Sequence, residues 1–274
     1  MLFNLQNNVD IMPENIFNHL KNLEQFKNTK TAIITDVDGT LSEIVPSPDD
    51  ALVDDEMKRI LKNLARKFKF LIFITGRTIE NVRIMVDIPG AYYIGNHGME
   101  YQVNNKIVFD PKVDIFRKEI GKIEGKLKKK LNLPGLIFEN KNTCLTVHYR
   151  MSENQDMARI SILNEIRQLN LAKELKVTEG KKVIEIKPQI GNNKGTIIRS
   201  IVKDKKLDQV IYCGDDTTDI DAFRAIETLN NQPSFKGISI VILSKETPVN
   251  VANNAQYYVN NISELKSFFN WLME

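Results

Sequence analysis

The chain has 274 residues, 42% of them hydrophobic, with 38 basic against 35 acidic side chains and a net charge of +3. That balance does not call for a polyanionic partner, so nucleic acid is not indicated, and no stretch approaches the roughly 18 apolar residues of a membrane span. The length allows one large or two modest domains. The opening MLFNLQNNVDIMPENIF, with no basic n-region and no continuous apolar stretch, reads as the start of a soluble, cytoplasmic protein.

From Pro13 to Phe26, apolar Phe17, Leu20, Leu23 and Phe26 recur at threes, which predicts an amphipathic helix with proline in its first turn. Strands and helices then alternate. Strands are predicted at 32–35, 70–74 and 92–95, with helices near 54–68 and 79–86 between them, the rhythm of βαβ units in a parallel sheet. After Gly98 the pattern changes. "MEYQVNNKIVF" alternates about Asn104-Asn105 and reads as a β-hairpin. Residues 115–131 form a Lys-rich helix whose apolar Phe116, Ile120, Ile123, Leu127 and Leu131 share one face, leaving the lysines in water. "LIFEN", "CLTVHYR", a helix near 158–169, "LKVTE" and "KVIEIK" complete an α+β insert of roughly 80 residues.

From Lys194 the βαβ rhythm resumes: helices at 194–203 and near 219–229, strands at 209–213, 238–243 and 256–259, and a closing helix through Trp271. The predicted fold is therefore α/β, a Rossmann-like parallel sheet built from residues 1–107 and 190–274, interrupted by a smaller α/β domain at 108–189. Cys144 and Cys213 each sit in an apolar strand-like run, as buried free thiols do.

In an open parallel sheet, ligands bind beyond the carboxyl ends of the strands. Here those ends carry Asp36 and Asp38, then Thr75-Gly76-Arg77, then Asn96-His97-Gly98, then "GDDTTD" with Asp215, Asp216 and Asp219. Buried acids need a compensating cation or donors. An all-oxygen, strongly negative set suits a hard cation that keeps several waters, which points to Mg²⁺; the acid spacing is not that of an EF-hand loop, and no His or Cys set has zinc spacing.

Asp36-Val37-Asp38-Gly39-Thr40, Thr75, Lys194 in "NNKG" and "GDDTTD" occur in the order of the four signatures of the haloacid dehalogenase-like (HAD) phosphohydrolases, which this chain resembles. The resemblance implies that Asp36 attacks phosphorus to give an aspartyl-phosphate and that Asp38 is acid to the leaving group and then base to water. It also implies Mg²⁺ on Asp36, the Asp38 carbonyl and Asp215, with Asp216 and Asp219 orienting its waters. Thr75 and Lys194 would hold the phosphoryl oxygens, and Gly39 would let the backbone approach them.

Within that superfamily the chain is similar to the trehalose-6-phosphate phosphatases, whose α/β cap occupies the place of the insert. Matching segments are Gly95-Asn96-His97-Gly98, "VHYR" at 147–150, "KVIEIKP" at 182–188 and "GDDTTDIDAF" at 214–223; Lys187 stands where an Arg is usual and Ile220 where a Glu is usual. Expected substrate contacts are Gly39, Arg77, Asn96, His97, Gly98, His148, Arg150, Lys182, Glu185 and Lys187. The expectation is a Mg²⁺-dependent phosphatase of trehalose 6-phosphate acting without a fused synthase domain. Rival substrates are sucrose 6-phosphate and mannosyl-3-phosphoglycerate, and a rival of another class is a non-catalytic sugar-phosphate sensor, although such relatives would be expected to lose the acids that this chain keeps.

Overall fold

The computed structural model describes residues 12–47, 50–103, 106–189 and 191–274. The Asn104-Asn105 turn and most of the N-terminal stretch read above lie outside them. Among the described residues nine strands form one sheet: β1 (Glu14–Asn15), β2 (Ala32–Thr35), β3 (Phe70–Ile74), β4 (Tyr92–Gly95), β5 (Glu100–Val103), β6 (Lys106–Phe109), β11 (Gln209–Gly214), β12 (Lys236–Ile242) and β13 (Tyr257–Val259). Their spatial order is β1-β13-β12-β11-β2-β3-β4-β5-β6. Pairing is parallel from β1 to β4, and β5 and β6 extend the edge antiparallel.

Strand alternation divides the core into two layers. Ile33, Phe73, Ile211 and Ile240 face one side, against α2 (Asp55–Lys67), α3 (Ile79–Met85) and α10 (Ile262–Met273). Ile34, Ile72, Tyr212 and Val241 face the other, against α7 (Lys194–Lys205) and α8 (Ile220–Leu229). Helix α2 shows why these segments fold as they do. Asp54 caps it by accepting from the Met57 N–H at 2.8 Å, acids fill its first turn and Arg66 and Lys67 its last, and Met57, Ile60, Leu61 and Leu64 form its buried stripe.

A second sheet of four strands lies within the insert, in the order β7 (Ile137–Asn140), β8 (Leu145–His148), β10 (Val183–Pro188) and β9 (Leu175–Gly180), all antiparallel. One face is covered by α5 (Arg117–Lys130) and α6 (Gln155–Arg167), with Ile120, Ile123, Leu127, Leu145, Val147, Ile162, Ile184 and Ile186 as its core. Both cysteines are buried and free.

Two expectations change. The N-terminal helix is replaced by β1, a 3₁₀ turn at Ile16–His19, the single helical turn α1 (Leu20–Leu23) and another 3₁₀ turn at Glu24–Lys27. Asn15 sets the start by accepting from the Phe17 N–H, and the pairing of β1 with β13 holds the chain extended up to that point. The Lys-rich helix begins later than predicted. Asp110 caps a separate turn, α4 (Pro111–Asp114), and Ile115 is left exposed between the two helices.

Candidate active site

Strand β2 runs out at Thr35, but the Asp36 N–H still donates to the Cys213 carbonyl of β11 at 2.9 Å, so the sheet itself aims the first acid. The chain then turns tightly, with the Gly39 N–H on the Ser42 carbonyl at 2.8 Å. Gly39 has φ +79°, and a Cβ there would stand 2.2 Å from an Asp215 carboxylate oxygen, so no side chain fits. Asp219 folds back from the start of α8 and takes four donors. Its Oδ2 accepts from the N–H groups of Asp215 (3.1 Å) and Asp216 (2.9 Å), and its Oδ1 from Lys194 Nζ (2.6 Å) and the Tyr212 hydroxyl. Lys194 opens α7, which Asn193 and Thr196 fix by reciprocal capping bonds, and its Nζ also lies 2.9 Å from Asp36 Oδ2.

Asp36, Asp215 and Asp219 each offer a carboxylate oxygen within 4.8 Å of the others, and all three are buried. Burial, opposed by Lys194 and reinforced by the charges of Asp219 and Asp215, pushes Asp36 well above the usual carboxylate range. Burial raises Asp215 to about 6, with Lys181 opposing and Asp219 and Asp216 reinforcing. Lys194 is held above its ordinary value by Asp219 and Asp36 in spite of its burial. The cluster therefore fits a cation. Asp219 is committed to its donors, which leaves Asp36 and Asp215 as the carboxylates that could hold a metal ion in an all-oxygen site. The Lys181 ammonium, 2.7 Å from Asp215 Oδ2, shows that the position draws positive charge.

Asp36 and Asp215, with Asp38 and Asp216 beside them and Asp219 buried behind, form the floor of a cleft of about 410 Å³ between the two sheets, a size suited to a small organic ligand. Its other wall is the polar face of the four-stranded sheet. Because successive side chains alternate, Thr146 and His148 of β8 and Glu185 and Lys187 of β10 point into the cleft while their neighbours enter the core behind. Glu185 is the hub of this wall: Lys187 Nζ donates to Oε2 at 2.7 Å, and His97 Nε2 and the Thr146 hydroxyl lie 3.4 Å from Oε1. Burial works to raise the Glu185 pKa, but His97, Lys141 and Lys187 outweigh it and hold the carboxyl well below the usual range. Burial lowers His97, with Glu185 opposing. His148 Nε2 lies 3.0 Å from Glu139 Oε2. Arg150 reaches across to Glu246 of the large sheet's loops at 3.0 and 3.3 Å, and Lys182 adopts φ 63° at the turn between β9 and β10.

Not every candidate faces the cleft. Asn96 is fully buried, donates to Glu100, the Lys141 carbonyl and Thr143, and accepts from the Cys144 thiol, so its polar atoms serve to join the two sheets. Gly98 offers its carbonyl to Asn192 and packs where a Cβ would strike Ile197. Thr75 is buried under the cleft and accepts from the Arg77 N–H at 3.1 Å. Arg77 lines the cleft with its guanidinium laid on Asp38, at 2.7 Å for each of two bonds. Asp216 lies at the rim, half-buried, and accepts from the Thr217 hydroxyl.

Glu139, Lys141 and Lys181 line the same cleft and escaped the sequence reading. Lys141 is buried and donates to the Gly76 carbonyl at 2.9 Å. Alternation along "IFENK" does put Glu139 and Lys141 on one face, but nothing local distinguishes that face from a solvated one.

Among the described residues no helix is long and apolar enough to cross a membrane. The profile of the family described as trehalose-phosphatase matches residues 34–263. Trehalose-phosphate phosphatase B of Arabidopsis thaliana is 32% identical over 276 residues, covering 95% of this chain and 70% of the plant protein. The C-terminal domain of C. albicans trehalose-6-phosphate phosphatase superposes with a TM-score of 0.76 at 22% identity, covering 96% of this chain and 98% of that one. A haloacid dehalogenase-like hydrolase from Bacteroides thetaiotaomicron does so at 0.60 and 14%, covering 88% and 98%; at these identities the two structures bear on the fold alone. With the matched profile spanning the acid cluster, Lys194 and the whole polar wall, the chain belongs to the trehalose-phosphatase family, phosphoric monoester hydrolases on a HAD-like fold.

Proposed function

We propose that the chain hydrolyses trehalose 6-phosphate to trehalose and phosphate with Mg²⁺, through an aspartyl-phosphate on Asp36. The observation that carries this reading is Lys194 buried between Asp36 and Asp219, 2.9 and 2.6 Å away, beside Asp215 and under a charged wall. Asp36, the Asp38 carbonyl and Asp215 would hold the cation, with Asp216 and Asp219 behind them. Bound there, Mg²⁺ supplies the positive charge that lets a carboxylate approach an anionic phosphoryl group.

Asp36 attacks phosphorus as the P–O bond to the sugar breaks, and Asp38 gives its proton to the departing sugar oxygen. Asp38 then takes a proton from water as that water attacks phosphorus and the bond to Asp36 breaks. Lys194 and the backbone at Gly39 hold the phosphoryl oxygens, where transition-state charge develops, while Thr75, beneath the cleft, accepts from the Arg77 N–H and fixes the backbone beside them. Residues 1–107 and 190–274 act as the catalytic body and 108–189 as a cap that selects the sugar. Glu185, Lys187, Lys182, His148 and Arg150, joined by His97, Glu139 and Lys141, meet its hydroxyls.

Phosphate release from trehalose 6-phosphate, sucrose 6-phosphate and mannosyl-3-phosphoglycerate tests this directly. Trehalose 6-phosphate should be strongly preferred, and a preference for either rival would transfer the assignment to it. EDTA should abolish release and added Mg²⁺ restore it; full activity in chelator would remove the metal from the mechanism.

Glu185→Gln keeps the shape of the wall but removes a charged acceptor. It should lower kcat/KM on trehalose 6-phosphate by about ten- to a hundredfold while sparing p-nitrophenyl phosphate, which offers no sugar hydroxyls. Equal losses on both substrates would assign Glu185 to docking the wall on His97 instead.

A further inference from the structure

Arg77 is a substrate contact by position, yet its guanidinium is turned to the acid/base candidate. Nε donates to Asp38 Oδ2 and Nη2 to Asp38 Oδ1, both at 2.7 Å, a parallel two-bond pairing that fixes the plane and direction of the carboxylate. The backbone beneath it is clamped. The Arg77 N–H is on Thr75 Oγ1, its carbonyl accepts from the Asn96 N–H at 2.7 Å, and Gly95 packs so close that a Cβ there would be 2.9 Å from that carbonyl. Lys141, from the opposite wall, ties down the Gly76 carbonyl. Asp38 itself is on a surface turn with its side chain 37% exposed, whereas that of Arg77 is 12% exposed. The rigid partner is the arginine. An exposed Asp on a turn would otherwise sample several rotamers, and a proton donor misplaced by about 1 Å can cost on the order of a hundredfold in rate.

We infer that Arg77 is a positioning residue for the reaction, holding Asp38 in the rotamer from which it serves the leaving oxygen and then the attacking water. This role rests on the phosphatase reading above. In the first half-reaction the P–O bond to the sugar breaks as the Asp36–P bond forms, and the Asp38 proton goes to the sugar oxygen. In the second, the Asp36–P bond breaks as the water–P bond forms, and the water proton goes to Asp38. Lysine cannot replace a two-bond guanidinium, so Arg77→Lys keeps the charge and loses the orientation.

The leaving group separates this role from phosphate binding. p-Nitrophenolate departs without a proton, so its first half-reaction bypasses Asp38, but the second half-reaction does not. For Arg77→Lys we expect first-turnover nitrophenolate release within about threefold of the unaltered protein, followed by steady-state turnover lowered about a hundredfold, seen as a burst of one product per active site. On trehalose 6-phosphate the first turnover should itself fall by about that factor. Arg77→Lys combined with Asp38→Asn should be no slower than Asp38→Asn alone, because both remove one function. A raised KM with equal losses in first turnover and steady state would make Arg77 a substrate contact, and effects that multiply in the double variant would overturn the role as well. Should Arg77→Lys fold poorly, Arg77→Gln, with melting temperature recorded, carries the same comparison. Asp36→Asn run alongside distinguishes the two failures: if it still releases phosphate, the covalent reading is wrong and this role falls with it. If it is inactive and the burst is absent, only the role of Arg77 falls.

Discussion

Asp36→Asn is expected to abolish phosphate release and leave the protein folded. The amide is nearly isosteric but is no nucleophile for phosphorus, so the loss should reach the background of the assay. Stability should hold or rise, because Asp36 is buried with Asp215 and Asp219 and its charge adds to their mutual repulsion. Lys194 would still pair with Asp219 at 2.6 Å, so no cation would be stranded. Phosphate release and a thermal melt on the same sample check both halves. Turnover near that of the unaltered protein would rule out the covalent route, and a large fall in melting temperature would mean that Asp36 supports the fold.

Lys194→Met should be damaging in both respects. The lysine is 2% exposed and stands between two carboxylates, so methionine preserves the volume and strands buried acids. Breaking a buried pair from one side typically costs about 3–5 kcal/mol. Activity should fall to background because the phosphoryl oxygens lose their buried cation. Restoring the cluster's original net charge with Lys194→Met and Asp219→Asn together should recover part of the stability and none of the activity. A melting temperature unchanged by Lys194→Met alone would show that water or ions enter the cluster freely. Denaturant melts of the three proteins measure this.

How much of this was legible beforehand depended on the range of the interaction involved. The βαβ rhythm and the strands β2, β3, β4 and β11 are written in periodicity, which acts within a turn or a strand. The acids were legible because the ends of parallel strands converge at one edge, and Asp36 and Asp215 each directly follow one of two neighbouring strands, β2 and β11. At the N-terminus local pattern found the helical turns and their buried face but not their start or their 3₁₀ winding, because pairing of β1 with β13, more than two hundred residues away in sequence, holds Glu14–Asn15 extended.

Composition and pattern by themselves determined the fold class, the interrupted order of its elements and the family motifs. Tertiary structure decided which polar residues have work inside the cleft. Asn96 and His97 are adjacent in sequence, yet one is spent on bonds beneath the wall while the other meets Glu185. Arg77 and Asp38 lie 39 residues apart and form a two-bond pair. Lys141 and Lys181 are unremarkable among many lysines until packing buries one against Gly76 and sets the other on Asp215. The physical reason is that a charged side chain acquires its role from desolvation and from the geometry of its partner, and both are properties of the assembled cleft.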